Sequence, residues 1–257
     1  MLKTGQRHDR WFLLQNLVLK DFRIRYRNMS LGVMWSVVNP LVMMGILTFV
    51  FTKIFPNPQP HFAVFMLCAL VPFNFYSLAI TAGTTSLLEN ESLIKRVRCP
   101  REIFPIAAVL ANCLHFLIQI ALLISFVLLS GFSITLHWFW LPPIWTIEVV
   151  FLCGLALITS VLDVYYRDVR YLVDCSGLVL FWLVPIFYSF EMVPKQYHAI
   201  YLVNPISCVI LASREVLLNG TAPSIGFVEA ALLSTLVCLA LGVLVFERFK
   251  RNVADYL

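Results

Sequence analysis

Residues 62–105 read FAVFMLCALVPFNFYSLAITAGTTSLLENESLIKRVRCPREIFP. An apolar run at 62–88 gives way to a loop carrying Lys95, Arg96, Arg98 and Arg101, and a second apolar run starts at Ile103. A hydrocarbon core of about 30 Å takes about 20 residues of helix to cross. Backbone polar groups find no partner in lipid, so both runs are predicted to be helices. They form two consecutive membrane spans joined by a short basic loop.

The same pattern extends in both directions. Apolar runs occupy 33–55, 62–88, 103–130, 141–161, 172–189 and 227–246. The chain is 60% hydrophobic and only 13% charged, with a mean hydropathy of +0.86. The predicted fold class is an all-α integral membrane protein with six spans.

Charge sets the orientation. Of 19 Lys and Arg residues, seven lie in the N-terminal arm between Lys3 and Arg27, and four in the loop after the second run. Arg167 and Arg170 follow the fourth run, and Arg248, Lys250 and Arg251 follow the last. Only Lys53, Lys195 and Arg214 remain for the opposite side. Short basic loops stay cytoplasmic, so both termini are expected there. The net charge of +5 is a membrane-flanking bias and not a nucleic-acid signal. Residues 199–218 are also fairly apolar, but they contain Asn204-Pro205 and the charged Arg214 and Glu215. A crossing there would carry the basic tail outside, so this stretch is predicted to be a re-entrant or interfacial hairpin on the outer side. The first 30 residues carry charge throughout, and no cleavable signal peptide is expected. The seven cysteines show no CxxC or metal spacing and read as small apolar residues.

Ahead of the first span, residues 11–30 form an amphipathic helix. At 100° per residue Trp11, Phe12, Val18, Leu19, Phe22 and Tyr26 share one arc. Asn16, Lys20, Arg23 and Arg27 share the next. Such a helix suits the inner membrane interface, and it also reads as a generic juxtamembrane anchor. Asp21 and Arg25 stand four apart, at ion-pair spacing. Prolines inside the first, second and fifth runs (Pro40, Pro72, Pro185) are expected to kink them. The loop 89–104 is a short charged helix followed by a second helix starting near Pro100. Its charges suffice for topology, but Leu93, Ile94 and Val97 among them suggest a docking face. At 163–170, Asp163, Arg167, Asp168 and Arg170 read as a local Arg–Asp structural pair.

Several chemistries are missing. The sequence has no GxxxxGK[ST] phosphate loop, HExxH, GxSxG or CxxC. Of the ionisable residues in or near spans, Glu148, Asp163, Asp174 and Glu229 lie close enough to span ends to reach the interface. His115 lies deeper, four residues before Gln119, and reads as an interhelical hydrogen bond in preference to a proton relay. Aromatic residues make up 14% of the chain. Those well inside spans, such as Phe73, Tyr76 and Trp182, could line a path for sugars, whose C–H faces pack on rings.

The opening LVLKDFRIRYRNMSLGVMWSVVNPL resembles the start of the permeases of ABC exporters for cell-surface polysaccharides (O-antigen, capsule and teichoic acid). These belong to the type-two ABC transporter group. The shared pattern falls on Arg25, Tyr26, Ser30, Leu31, Gly32, Trp35, Asn39 and Pro40. LIKRVRCPREIFP resembles the family's cytoplasmic loop, with Cys99 where an apolar or aromatic residue is frequent. Tyr166-Arg167-Asp168-Val169, Asn204-Pro205 with Arg214, and the closing FERFKRNVADYL resemble three further family motifs. The motifs stand in register along essentially the whole chain.

The resemblance implies a single transmembrane domain over 1–257, in the bacterial plasma (inner) membrane. Within it lie an interface helix at 11–30, a coupling region at 89–104 and an outer-side re-entrant region at 190–226. It implies a second copy of this chain and two cytoplasmic ABC ATPase subunits that bind ATP and Mg, this chain binding no cofactor. It implies a lipid-linked polysaccharide, a glycan on polyprenyl pyrophosphate, as cargo. Ser92, Leu93, Ile94, Lys95, Arg96, Val97 and Arg98 are then the ATPase-coupling residues, with the apolar ones buried in the partner. A pyrophosphate needs cations at the inner surface, and Arg23, Arg25 and Arg27 stand there beside Ser30, Leu31 and Gly32. Arginine donates two parallel hydrogen bonds to phosphate, and glycine permits close backbone approach. The glycan path is assigned to Trp35, Phe73, Tyr76 and Trp182, with Arg214 near its exit. Two other classes stay open: an ATP-independent flippase or transferase for polyprenyl phosphates, which needs an acid or His cluster, and a secondary transporter, which predicts internal repeats. Neither feature is visible in the sequence.

Overall fold

The computed structural model describes residues 2–27, 32–55, 59–96, 99–250 and 253–256. It is all-helical. Helix α1 (Leu2–Tyr26) lies ahead of the first span, which runs continuously over Gly32–Ile54 and includes α2 (Trp35–Phe49). Then come α3 (Phe62–Glu89), the short α4 (Glu91–Arg96), α5 (Ile103–Leu129), α6 (Leu141–Tyr165) and α7 (Val169–Leu183). The chain ends with α8 (His198–Val203), α9 (Pro205–Leu217), α10 (Ile225–Phe249) and α11 (Val253–Tyr256). Among the described residues, five helices are long and apolar enough to cross a membrane. They correspond to the first, second, third, fourth and last predicted runs.

The fifth run differs from a continuous helix. Helix α7 is 15 residues long, or about 22 Å at 1.5 Å per residue, short of the hydrocarbon thickness. Pro185 ends this helix where a kink was expected. Proline disfavours the helical conformation in the residue before it, and Val184 is extended (φ −70°, ψ 141°). Residues 184–187 continue as buried non-helical chain. Pro40 and Pro72, in contrast, stay inside α2 and α3.

The predicted hairpin is present. The segment Lys195–Val203 and α9 meet at 104° across Asn204. Pro205 opens α9, where its missing N–H costs nothing, and the Asn204 side chain accepts from the Ile206 N–H at 3.0 Å. That hydrogen bond caps the helix. Every residue of α9 except Glu215 is buried. Val203 and Pro205 lie beside Ile158 and Leu241, well inside the flanking helices. Beyond the other end of α9, Gly220 reaches Thr135 in the α5–α6 connection. Phe190, ahead of the hairpin, packs on Phe227 at the start of α10 at 5.8 Å, so the hairpin enters and leaves on one side.

Helix α3 is the central element, buried over most of its span. Its side chains pack with those of α5, α6 and α9 into one apolar core that includes Met66, Phe75, Phe116, Leu152 and Ile210. A second core joins the ends of α3, α5, α6 and α10 on the side of α4. Leu17 of α1, Leu87, Ile94, Phe104, Val161, Phe246 and Val253 are all buried there. Tyr165 adds a hydrogen bond to the Phe249 carbonyl at 2.8 Å.

Helices α6 and α10 meet backbone to backbone. A Cβ placed on Gly154 would lie 2.8 Å from Leu239 Cα, and one on Gly242 would overlap the Gly154 carbonyl. Small residues allow such approach between membrane helices. Gly154→Val is expected to separate the pair and lower stability by roughly 1–3 kcal/mol, the usual cost of overpacking. Thermal melting followed by fluorescence-detected size exclusion reads it, and an unchanged melt would refute the close contact.

Candidate functional site

Helix α1 lies along α5 and turns toward the first span at its C-terminal end. Between them opens a cavity of ≈ 510 Å³ lined by Tyr26, Trp35, Ser36, Asn39, Val42 and His115, among others. Gly32, where the first span starts, has φ +50°, a left-handed conformation that glycine adopts without strain. Trp35 is half-exposed and Asn39 exposed, so both are accessible at this cavity.

One polar network ties three helices together beside the cavity. The Tyr26 hydroxyl lies 2.6 Å from Ser36 Oγ and 2.6 Å from His115 Nδ1. Ser36 Oγ is 2.9 Å from the same nitrogen. Gln119 Nε2 donates to the Ser36 carbonyl at 3.3 Å and lies 3.1 Å from His115 Nε2. The carbonyl requires the nitrogen of the Gln119 amide at that position, so His115 Nε2 is the acceptor. A neutral imidazole then carries its proton on Nδ1, facing Tyr26 and Ser36. The sequence shows the His115–Gln119 spacing, but not Tyr26 and Ser36. Those two sit on different helices, and only tertiary packing brings them to His115.

Arg23 on α1 and Arg27 just past its end are exposed ahead of this cavity. The side chain of Arg25, and Ser30 and Leu31, lie outside the described residues, so the expected Asp21–Arg25 pair does too. Asp21 pairs with Lys20 at 3.2 Å.

The expected aromatic path divides. Trp35 and Trp182 are exposed, while Phe73 and Tyr76 are 5% and 3% exposed. The Phe73 ring packs on Tyr76 at 5.7 Å and on Phe181 at 5.3 Å. Both belong to the protomer core, because α7 covers that face of α3. Phe73 and Tyr76 thus line no open surface of the protomer.

Arg214 is also placed differently from the expectation of an exit residue. It is 6% exposed. Its guanidinium donates to the Phe65 carbonyl at 3.2 and 3.1 Å, to Pro185 at 2.6 Å and to Ile186 at 2.9 Å. It also stacks 3.5 Å over the Phe65 ring. Among the described residues no carboxylate pairs with it. Arg214 satisfies the carbonyls that the non-helical chain after α7 leaves unpaired, and so pins α9 to α3 and to that chain.

Two acids depart from or meet expectation. Glu148 is fully buried and does not reach the interface, and neither of its carboxylate oxygens has a partner among the described residues. Asp163, also buried, holds Arg170 at 3.1 Å and forms the expected local pair.

The loop after α3 forms α4, as expected, but its faces are distributed otherwise. Ile94 is buried against Leu17, Leu87 and Phe104 of its own chain, and Leu93 is half-buried on the same cluster. One and a half turns of helix have one apolar face, and α1 and the ends of α3 and α5 already cover it. Ser92, Lys95 and Arg96 are left exposed. Val97 and Arg98 lie outside the described residues. Lys20 of α1 donates to Asn90 Oδ1 at 2.7 Å, so α1 is tied to the start of α4. Arg101 donates to the Lys250 carbonyl and joins the loop to the end of α10. Burial pushes the nearby Cys99 thiol up from its usual range. All seven cysteines are free, and among the described residues no group of His, Cys, Asp or Glu could hold a metal ion.

Comparison with known proteins agrees with this layout. The profile of the ABC-2 type transporter family matches residues 13–218, from α1 to the end of α9. An O-antigen export system permease protein, RfbA, of Klebsiella pneumoniae is 29% identical over 246 residues, 95% of each chain. The RfbA of Myxococcus xanthus is 23% identical over 95% of this chain and 94% of its own. The polysialic acid transport protein KpsM of Escherichia coli is 27% identical over 91% of this chain and 92% of its own. With its family profile spanning α1 through the re-entrant hairpin, this multi-pass membrane protein belongs to the ABC-2 type transporter family.

Proposed function

We propose that this chain is the permease subunit of an ATP-driven exporter that moves a lipid-linked polysaccharide, a glycan on polyprenyl pyrophosphate, across the plasma membrane. The observation that carries this reading is the cavity between the interface helix and the first span, with exposed arginines on the helix leading to it. A pyrophosphate head held by Arg23 and Arg27 at the cytoplasmic surface would stand beside Tyr26, which lines the cavity. The relatives are named an O-antigen export system permease and a polysialic acid transport protein, which supports a polysaccharide cargo.

The chain performs no chemistry in this reading. ATP and Mg bind two partner ATPases, which dock on the cytoplasmic face formed by α4, α1 and the C-terminal tail. The asymmetry of basic residues supports a cytoplasmic location for both termini. Two copies form the conduit. The protomer centre is filled by its own apolar core, so a hydrated glycan must pass between copies. The exposed side chains of the first span (Val42, Ile46, Phe49) and of α7 (Leu178, Trp182) are available for that boundary and for lipid.

Conservative replacement of the arginines tests the head-group site. Arg23→Lys with Arg27→Lys keeps the charge and loses the two-pronged donor. Export in a cell-surface glycan assay is expected to fall about tenfold at unchanged expression, the equivalent of one lost charge-assisted hydrogen bond. Normal export by the double variant would show that surface charge alone suffices, since exposed lysines attract anionic lipid equally well.

A further inference from the structure

A second cavity, of ≈ 350 Å³, lies farther back along α1, between α1, α3 and α5. We propose that it is a binding site for a membrane lipid with a zwitterionic amino-phosphate head group of the phosphatidylethanolamine class. It is separate from the cavity assigned to the transported head group, and the inference does not depend on the cargo.

The lining divides into a polar and an apolar wall. Lys20, Asp21, Glu89, Asn90 and Asn112 supply the charged and amide groups, and Ala82 and Ala111 supply wall where no side chain extends past Cβ. The Lys20 ammonium uses two of its three donors, on Asn90 Oδ1 at 2.7 Å and Asp21 Oδ1 at 3.2 Å, leaving one for an acceptor. The Glu89 carboxylate takes the Thr85 hydroxyl at 2.7 Å on one oxygen and keeps capacity on the other. Asp21 likewise has an oxygen beyond the one on Lys20. The lining thus offers one cation and two anions.

That balance selects the ligand. A bare phosphate would meet more negative than positive charge. A bare amine would leave the Lys20 donor unused. A head group carrying both an ammonium and a phosphate places the ammonium on Asp21 and Glu89 and the phosphate on Lys20. The ammonium must be primary, because quaternary choline has no N–H to give a carboxylate. A glycerol head has no cation at all. The membrane is the source because the helix that walls the cavity exposes apolar side chains. Ile24 lines the cavity and is 59% exposed, and Trp11, Phe12 and Leu19 of the same helix are exposed. A helix with such a face lies among head groups.

Native mass spectrometry of the delipidated full-length permease tests the site. The probes are phosphatidylethanolamine, phosphatidylcholine and phosphatidylglycerol with identical acyl chains. One phosphatidylethanolamine is expected to bind about fivefold or more tighter than either other lipid, the size of a hydrogen bond. Asp21→Asn with Glu89→Gln, isosteric changes at partly exposed positions, should bring it down to the level of phosphatidylcholine. Ala82→Leu should do the same by filling the space. Equal binding of the three lipids, or a preference that survives all three changes, would overturn the proposal. Displacement of bound lipid by equimolar soluble glycerophosphoethanolamine would overturn the lipid assignment in favour of a soluble ligand. Glycan export is not a readout here, so a failed result leaves the exporter reading untouched.

Discussion

Arg214→Ala is expected to leave little folded permease. The side chain is buried and gives hydrogen bonds to three backbone carbonyls, at Phe65, Pro185 and Ile186. Leaving a buried acceptor unsatisfied costs about 1–3 kcal/mol, and losing the stacking on Phe65 costs roughly another 1–2 kcal/mol. The sum is on the order of 5 kcal/mol, comparable to the whole stability of many folded proteins. Arg214→Lys should be intermediate, because an ammonium donates from one point and cannot fork between α3 and the chain after α7. The yield of monodisperse protein and its melting temperature measure both variants. If Arg214 acted on the passing glycan instead, Arg214→Ala would remain well folded and lose export alone.

Lys95→Glu with Arg96→Glu is expected to uncouple the permease from its ATPase while leaving it folded. Both side chains are exposed on α4. The Lys95–Glu91 pair at 2.6 Å is a surface pair, and such pairs contribute little to stability. At a docked interface, opposing like charges cost several kcal/mol, so affinity for the ATPase should fall about a hundredfold or more. Co-purification of the two subunits reads the loss, and export should disappear with it. Ile94→Glu should act differently. It places a charge inside the core of Leu17, Leu87 and Phe104, so folded protein itself should decline. Wild-type co-purification by the double charge reversal would show that α4 is not the docking element.

These two experiments fall where a linear reading was least informative. The motif around Asn204, Pro205 and Arg214 was legible as a break in an apolar stretch. An arginine there could equally face a path or a core, since sequence spacing carries no information about carbonyls 28 and 149 residues away. Leu93 and Ile94 were legible as an apolar face on a charged helix. Which partner covers that face depends on whether α1 folds back, and it does so through Leu17 and Lys20. Phe73 and Tyr76 read as path residues because a membrane helix surrounded by protein and one facing a conduit have the same composition.

The sequence by itself determined the solvent, five of the six predicted spans, the helix ahead of the first of them, the bent hairpin before the last and the family. Each follows from local quantities: runs of apolar residues long enough to cross hydrocarbon, and basic residues next to their ends. Tertiary structure alone decided that Pro185 ends a helix early and that Arg214 satisfies the buried carbonyls left there. It alone assembled Tyr26, Ser36, His115 and Gln119 beside one cavity, and Lys20, Asp21 and Glu89 around another. The physical reason is that hydrophobic burial is non-directional and readable from composition. Hydrogen bonds and charge pairs need atoms within about 3 Å, and side chains from separate helices meet at that distance only once the helices have packed.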